Sequence, residues 1–190
     1  MRVILASKSP RRKEILAMIT KKFDVIVSDE EEIIDEKLTI ERQAESLAYI
    51  KAKSVFDRTQ GDRIVIGSDT MVVDIDGKIY GKPKDRDDAI CMIKTLQGTK
   101  HNVITSLAIL VEKDGKYKEY IDYDLAEVYI SNMTDNEIDL WIDTGEAYDK
   151  AGAYAVQGDF TKHIERINGN FWTVMGLPVH KVYNILKNYI

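Results

Sequence analysis

"RIVIGSDTMVVDI", residues 63–75, is the stretch on which the fold turns. Strongly apolar residues flank the triplet Ser68-Asp69-Thr70 on both sides. That pattern predicts an internal strand of a sheet. A carboxylate in the middle of such a strand is costly to desolvate unless it is paired or bound to a metal. Asp69 is therefore a candidate metal ligand or base. A competing reading ends the strand at Gly67 and puts Ser68 to Thr70 on a solvated loop. Downstream, Asp76-Gly77 is a hairpin turn signal.

Outward from this strand, the N-terminal side alternates. "RVILA", 2–6, reads as a buried strand. Ser9 can cap a helix with Pro10 at its first position, and Ile15, Leu16 and Ile19 carry the helical spacing to about Thr20. "FDVIV", 23–27, is a second strand, and Thr39 to Arg58 is helical, with Ile40, Ala44, Leu47, Ala48 and Val55 on one face. On the C-terminal side, Asp85 caps a helix carrying Ala89, Met92, Ile93 and Leu96, closed by Gly98. Strands follow over 101–112 and 117–130, joined at Asp114-Gly115. "TDNE", 134–137, is a capping box opening a short helix to Asp143. Asn168-Gly169 joins a last pair of strands, 162–167 and 171–175, and Pro178 starts a terminal helix. Helices alternate with strands early and hairpins dominate later. The expectation is an α/β (α+β) fold with a mixed sheet flanked by helices. With no repeat or linker, residues 1–190 read as a single domain of two lobes around one cleft.

Composition narrows the function. The chain has 190 residues, 44% hydrophobic, and a formal charge of −5. That is enough for a core without metal or disulfide staples, and it gives no general attraction to nucleic acid or an anionic membrane. No apolar run approaches a membrane span, and no signal peptide is expected ahead of the first strand. The lone Cys91 is read as a buried apolar thiol in a helix, consistent with a reducing cytoplasm. His101, His163 and His180 have no zinc spacing, and no P-loop, GxGxxG, GxSxG or HExxH occurs.

Four further stretches carry chemistry. In "ILASKSPRR", 4–12, Ser7 and Ser9 offer hydroxyls, the turn offers backbone N–H groups, and Arg12 offers a charge-assisted fork for a phosphate. The alternative is a surface helix start whose arginines pair with nearby acids. The acidic run 29–36 is usually a solvated loop, but one carboxylate turned inward would hold a hard cation. Lys82 lies between Gly81 and Pro83 on a rigid turn, which suits a phosphate contact or a plain hairpin exit. Lys51 and Lys53 are equally open; on a helix they are normally solvated. "DKAGAYAVQG", 149–158, has three small residues at 151–153 that allow close approach to a flat ligand. In it, Gln157 matches the imide edge of uracil or thymine, or else bonds to backbone.

In order, "LASKSPRRKEIL", "EEE", "IKAKS", "GSDTMV", "GKPKD", "LQGTKHNVITSLAI", "DKAGAYAVQG" and "VMGLP" resemble the Maf family of nucleoside triphosphate pyrophosphatases over essentially the whole chain. The resemblance implies an elongated fold like that of inosine triphosphate pyrophosphatases, with the nucleotide in a deep cleft between two lobes. It implies hydrolysis of a nucleoside triphosphate to the monophosphate and pyrophosphate with a divalent cation, Mg²⁺, Mn²⁺ or Co²⁺. Asp69 matches the family's proton acceptor; Arg12, Thr70 and Gln157 match positions tied to preference and look like the dTTP and UTP branch. Glu32, Lys51 and Lys82 match polar positions lining the site, with Glu32 and Asp69 the expected metal ligands and Ser7 beside the phosphates. A homodimer and a cytoplasmic place are implied as well. Ser68 stands where alanine is common, and Ala155-Val156 where glycine and isoleucine are common. Two alternatives stay open: a nucleotide-sensing regulator, since the family is linked to arrest of septum formation, and a preference for m7GTP or another nucleotide.

Overall fold

The computed structural model describes residues 1–30, 35 and 37–190. Strand β1 (Arg2–Leu5) feeds helix α1 (Pro10–Ile19), and short β2 (Asp24–Val25) follows. Helix α2 (Ile40–Asp57) precedes β3 (Arg63–Val73), which turns into β4 (Ile79–Tyr80). Helix α3 (Arg86–Leu96) leads to the long hairpin β5 (Lys100–Lys113) and β6 (Lys116–Ile130). Then come α4 (Asp135–Asp143), three 3-10 turns between Glu146 and His163, β7 (Ile164–Asn168), one turn of helix α5 (Phe171–Val174), and α6 (Val179–Leu186).

The strands form a mixed sheet in the order β2-β1-β3-β5-β6-β7, with β4 paired to β3. β1 runs parallel to both β2 and β3, whereas the β3–β4 and β6–β7 pairs are antiparallel. β3 is therefore internal, and its strand is unbroken through Ser68 to Thr70. The reading that ended it at Gly67 is wrong, because the apolar residues that resume at Met71 are buried too.

Local chemistry explains the boundaries. The Ser9 hydroxyl accepts from the Arg12 N–H at 3.4 Å with Pro10 following, so α1 starts where both signals place it. Thr134 and Glu137 satisfy each other's backbone at the start of α4. Two expectations fail. Residues 171–174 are helical, not a strand, because the Asn170 side chain accepts from the Trp172 N–H at 3.0 Å and turns the chain. β7 consequently pairs with β6, not with a hairpin partner. Cys91 is exposed, since α3 buries Ala89, Met92, Ile93 and Leu96, and position 91 lies off that face.

The chain forms two compact units. The first comprises Met1–Thr70, Thr105–Asp124 and Met175–Ile190; the second comprises Met71–Ile104 and Leu125–Val174. The first unit's core packs α2 on the sheet through Ile4, Ala48, Ala52, Val55, Val65 and Leu110. In the second unit, Phe160 packs edge-on against Trp141 and His163, and the Trp141 indole N–H donates to the Ala153 carbonyl at 2.8 Å.

Candidate active site

The geometry begins at Gly67. A Cβ there would stand 2.8 Å from the Ala52 nitrogen and 3.0 Å from the Ala52 Cβ, with the Ala48 carbonyl closer still. The bare glycine lets α2 lie directly on β3, helped by Ala48 and Ala52 on the facing helix surface. Side chains alternate along a strand, so Asp69 points to the same side as Gly67, toward α2. Lys51 lies on the facing stretch of α2, and its ammonium donates to Asp69 Oδ1 at 2.5 Å. Both side chains are largely shielded, 15% exposed for Lys51 and 11% for Asp69. The ammonium thus offsets the cost of burying the carboxylate. Lys51 is not the solvated helix lysine of the alternative reading, whereas Lys53 is, paired one turn on with Asp57.

The neighbouring strand positions face the other way and hold a second group. Arg12 donates from Nη2 to Thr70 Oγ1 at 3.0 Å, from Nη1 to Ser7 Oγ at 3.3 Å, and from Nε to the Gly176 carbonyl at 2.8 Å. These contacts fix the guanidinium plane on three sides. Thr70 in turn shares a hydrogen bond with Thr105 at 2.9 Å. The Ser68 hydroxyl is fully buried and donates toward the Ser106 carbonyl at 2.8 Å and the Gly176 carbonyl at 3.0 Å. Ser106 donates to the Ala44 carbonyl at 2.6 Å and lies 3.4 Å from the Asp69 carbonyl. Ser7, Arg12, Lys51, Asp69 and Thr70 thus all sit in the first unit, linked residue to residue.

Lys82 and Gln157 belong to the second unit, and both are exposed. Their loops are tied together there, since the Gly152 N–H donates to the Gly81 carbonyl at 3.0 Å. Gly152 adopts φ +69, and a Cβ on it would meet Leu96 and Val72 at 3.1 Å. Its smallness thus serves packing inside the unit.

Thr105, Ser106 and Gly176 are the residues that motif reading did not single out. Thr105 and Ser106 are a buried polar pair within an apolar strand, the same signal that marks residues 68–70. Gly176 contributes only a carbonyl, which no side-chain pattern reveals.

Glu32 lies outside the described residues. Among those described, no group of three His, Cys, Asp or Glu forms a metal cluster. A hard dication held by one or two carboxylates and substrate oxygens needs no such cluster. Lys51 engages Oδ1 of Asp69, leaving Oδ2 as a hard oxygen donor, and this fits that mode of binding.

The Maf-like protein family profile matches residues 2–189. A protein named dTTP/UTP pyrophosphatase from Thermoanaerobacter sp. (strain X514) is 47% identical over 98% of this chain and 96% of its own length. Proteins of the same name from Alkaliphilus metalliredigens (strain QYMF) and Aquifex aeolicus (strain VF5) are each 45% identical, over 99% and 98% of this chain and 96% and 95% of their own. In structure, the chain is similar to a HAM1 protein from Coxiella burnetii, with TM-score 0.51 at 12% identity over 99% of both chains. It is equally similar to the Staphylococcus aureus Ham1 protein, with TM-score 0.51 at 12% identity over 100% of both. These two likenesses show the fold.

Proposed function

This chain belongs to the Maf family, and from that premise we propose that it hydrolyses dTTP and UTP to the nucleoside monophosphate and pyrophosphate. It is a nucleoside triphosphate pyrophosphatase. The observation that carries its chemistry is the buried Lys51–Asp69 pair one strand position from the Arg12–Thr70 pair.

In the proposed mechanism, Asp69 accepts a proton from the water that attacks the α-phosphorus. Lys51 holds the carboxylate in place by its 2.5 Å bond and adds positive charge beside the reacting phosphate. Arg12 offers a planar cation already oriented by Thr70, Ser7 and Gly176, so little ordering remains when a phosphate arrives. Lys82 adds charge at the polyphosphate, and Gln157 reads the pyrimidine imide edge with one donor and one acceptor. A divalent cation, Mg²⁺, Mn²⁺ or Co²⁺, would be held by Asp69 and Glu32 and would supply neutralising charge to the phosphate oxygens. The cytoplasmic place and a homodimer belong to the same proposal.

The test is pyrophosphate release from dTTP and UTP by the parent and by Asp69→Asn. The parent releases one pyrophosphate per nucleotide consumed. The variant keeps its far-ultraviolet circular dichroism and loses roughly 10²–10⁴-fold in kcat. A variant that turns over at the parental rate refutes the assignment of Asp69. Binding without turnover by the parent would support a nucleotide sensor instead.

A further inference from the structure

Residues 116–124 read Lys-Tyr-Lys-Glu-Tyr-Ile-Asp-Tyr-Asp. They form the first part of β6, with β5 on one side. On the other side β7 covers only Glu127 to Ile130. Asp114 (φ 51) and Gly115 (φ 71) form a two-residue turn of type I′, which makes Lys113 and Lys116 the closing pair of the hairpin. Even-numbered residues of β6 therefore turn their backbone N–H and C=O groups to β5, and Tyr117, Glu119, Ile121 and Tyr123 turn theirs outward. Cover begins at Leu125, whose carbonyl would lie 3.1 Å from a Cβ on Gly169. The outward stretch carries exposed apolar surface, with Tyr117 at 48%, Ile121 at 40% and Tyr123 at 37%. An edge of this kind is a template for another strand.

The sequence of this edge is complementary to itself when reversed. We propose that two copies of the chain pair here, β6 against β6, antiparallel, about a two-fold axis at Tyr120. In that register Lys116 faces Asp124 of the second copy and Lys118 faces its Asp122. Tyr117 faces Tyr123, and Tyr120 faces itself. The two-fold axis repeats each contact, as an isologous interface requires. The outward backbone groups of Tyr117 and Tyr123 then form one hydrogen-bonded pair, and those of Glu119 and Ile121 the next. The two lysines and two aspartates fall at the closer, non-hydrogen-bonded positions, where opposite charges stabilise and like charges repel. Sliding the register by two residues either way leaves only one Lys–Asp pair in each half, so charge selects the centred register. In the single chain, Lys181 of α6 donates to the Tyr123 carbonyl at 2.6 Å and to Asp122 at 2.8 Å. Pairing replaces these contacts with the Tyr117 N–H and Lys118 of the second copy.

The proposal rests on the dimer reading and is tested by sedimentation and light scattering on the full chain. The parent runs as a dimer. Lys116→Asp/Lys118→Asp puts aspartate at all four of the facing charged positions and Asp122→Lys/Asp124→Lys puts lysine at all four, so each variant alone dissociates, its Kd raised tenfold or more. An equimolar mixture of the two restores the dimer, because every facing pair again has opposite signs. None of these residues is placed in the active site, so unchanged dTTP hydrolysis by each variant reports an intact fold. A monomeric parent overturns both the dimer reading and this surface. A dimeric parent whose variants stay dimeric overturns the surface and leaves the dimer reading intact. Variants that dissociate and do not recombine overturn the register. Lys181→Ala frees the Tyr123 carbonyl and should leave the dimer as tight or tighter; weakening would contradict the assigned edge.

Discussion

Gln157 is exposed and lies at the start of the 3-10 turn Gly158–His163, with extended backbone. Gln157→Glu replaces its donor with a second acceptor and adds charge. Against an imide edge this should lower kcat/KM for UTP and dTTP about tenfold or more, measured across a panel of nucleotides. An unchanged profile would remove Gln157 from substrate choice. What was legible at this scale was cost. Asp69 stood out because a carboxylate between apolar residues needs a reason, and the structure supplies Lys51 as its counter-charge. Arg12 was legible only as a cation beside hydroxyls; that its fork spans to a carbonyl 164 positions away was not. Cys91 was misread because a single residue's polarity does not say which side of a helix it takes.

Among the elements, the seam between α2 and β3 is the one on which the proposed site depends. Gly67→Ala pushes a methyl group into the Ala52 backbone, which can give only by moving the helix. Overpacking of this kind costs roughly 1–3 kcal/mol. The predicted result is a lower denaturation midpoint together with a fall in kcat, since Lys51 moves away from Asp69 with the helix. Parental stability and activity in the Gly67→Ala variant would show that the close approach is dispensable. By contrast, Thr134→Ala removes a capping box remote in sequence from the site residues and should cost about 1 kcal/mol of stability with kcat unchanged. Caps and two-residue turns were readable in advance because they are local: Ser9, Asp85, Thr134 and Asp114-Gly115 all act within a few residues. Residues 171–174 were not, because apolar residues after Asn-Gly suit a strand until Asn170 turns the chain.

At the scale of the whole molecule, acid should act through buried histidine. His101 is 1% exposed, and burial pushes its pKa down to about 4 against an ordinary value near 6.5, despite the opposing field of Asp74. Nε2 is 2.7 Å from the Tyr154 hydroxyl, while Nδ1 has no hydrogen-bond partner among the described residues. The folded state therefore resists protonation that the unfolded chain accepts. The stability tied to this group is complete above pH 6.5 and is lost as pH falls toward 4, by up to about 3 kcal/mol. His101→Gln removes that dependence. The stability gap between parent and variant, from urea titrations, should shift by about 2 kcal/mol in the variant's favour between pH 7 and pH 4.5. A constant gap would show that His101 does not drive the acid response. The mixed sheet itself was foreseeable from early alternation and late hairpins. Which stretches make up each unit was not, because each is assembled from separated parts of the sequence.

That interleaving matters during synthesis. The carbonyl that anchors Arg12 belongs to residue 176, so a ribosome must add 164 more residues before the fork closes. Until then the nascent chain carries Arg12 without its Gly176 anchor, and a message truncated before codon 176 yields a product with no means of supplying that anchor.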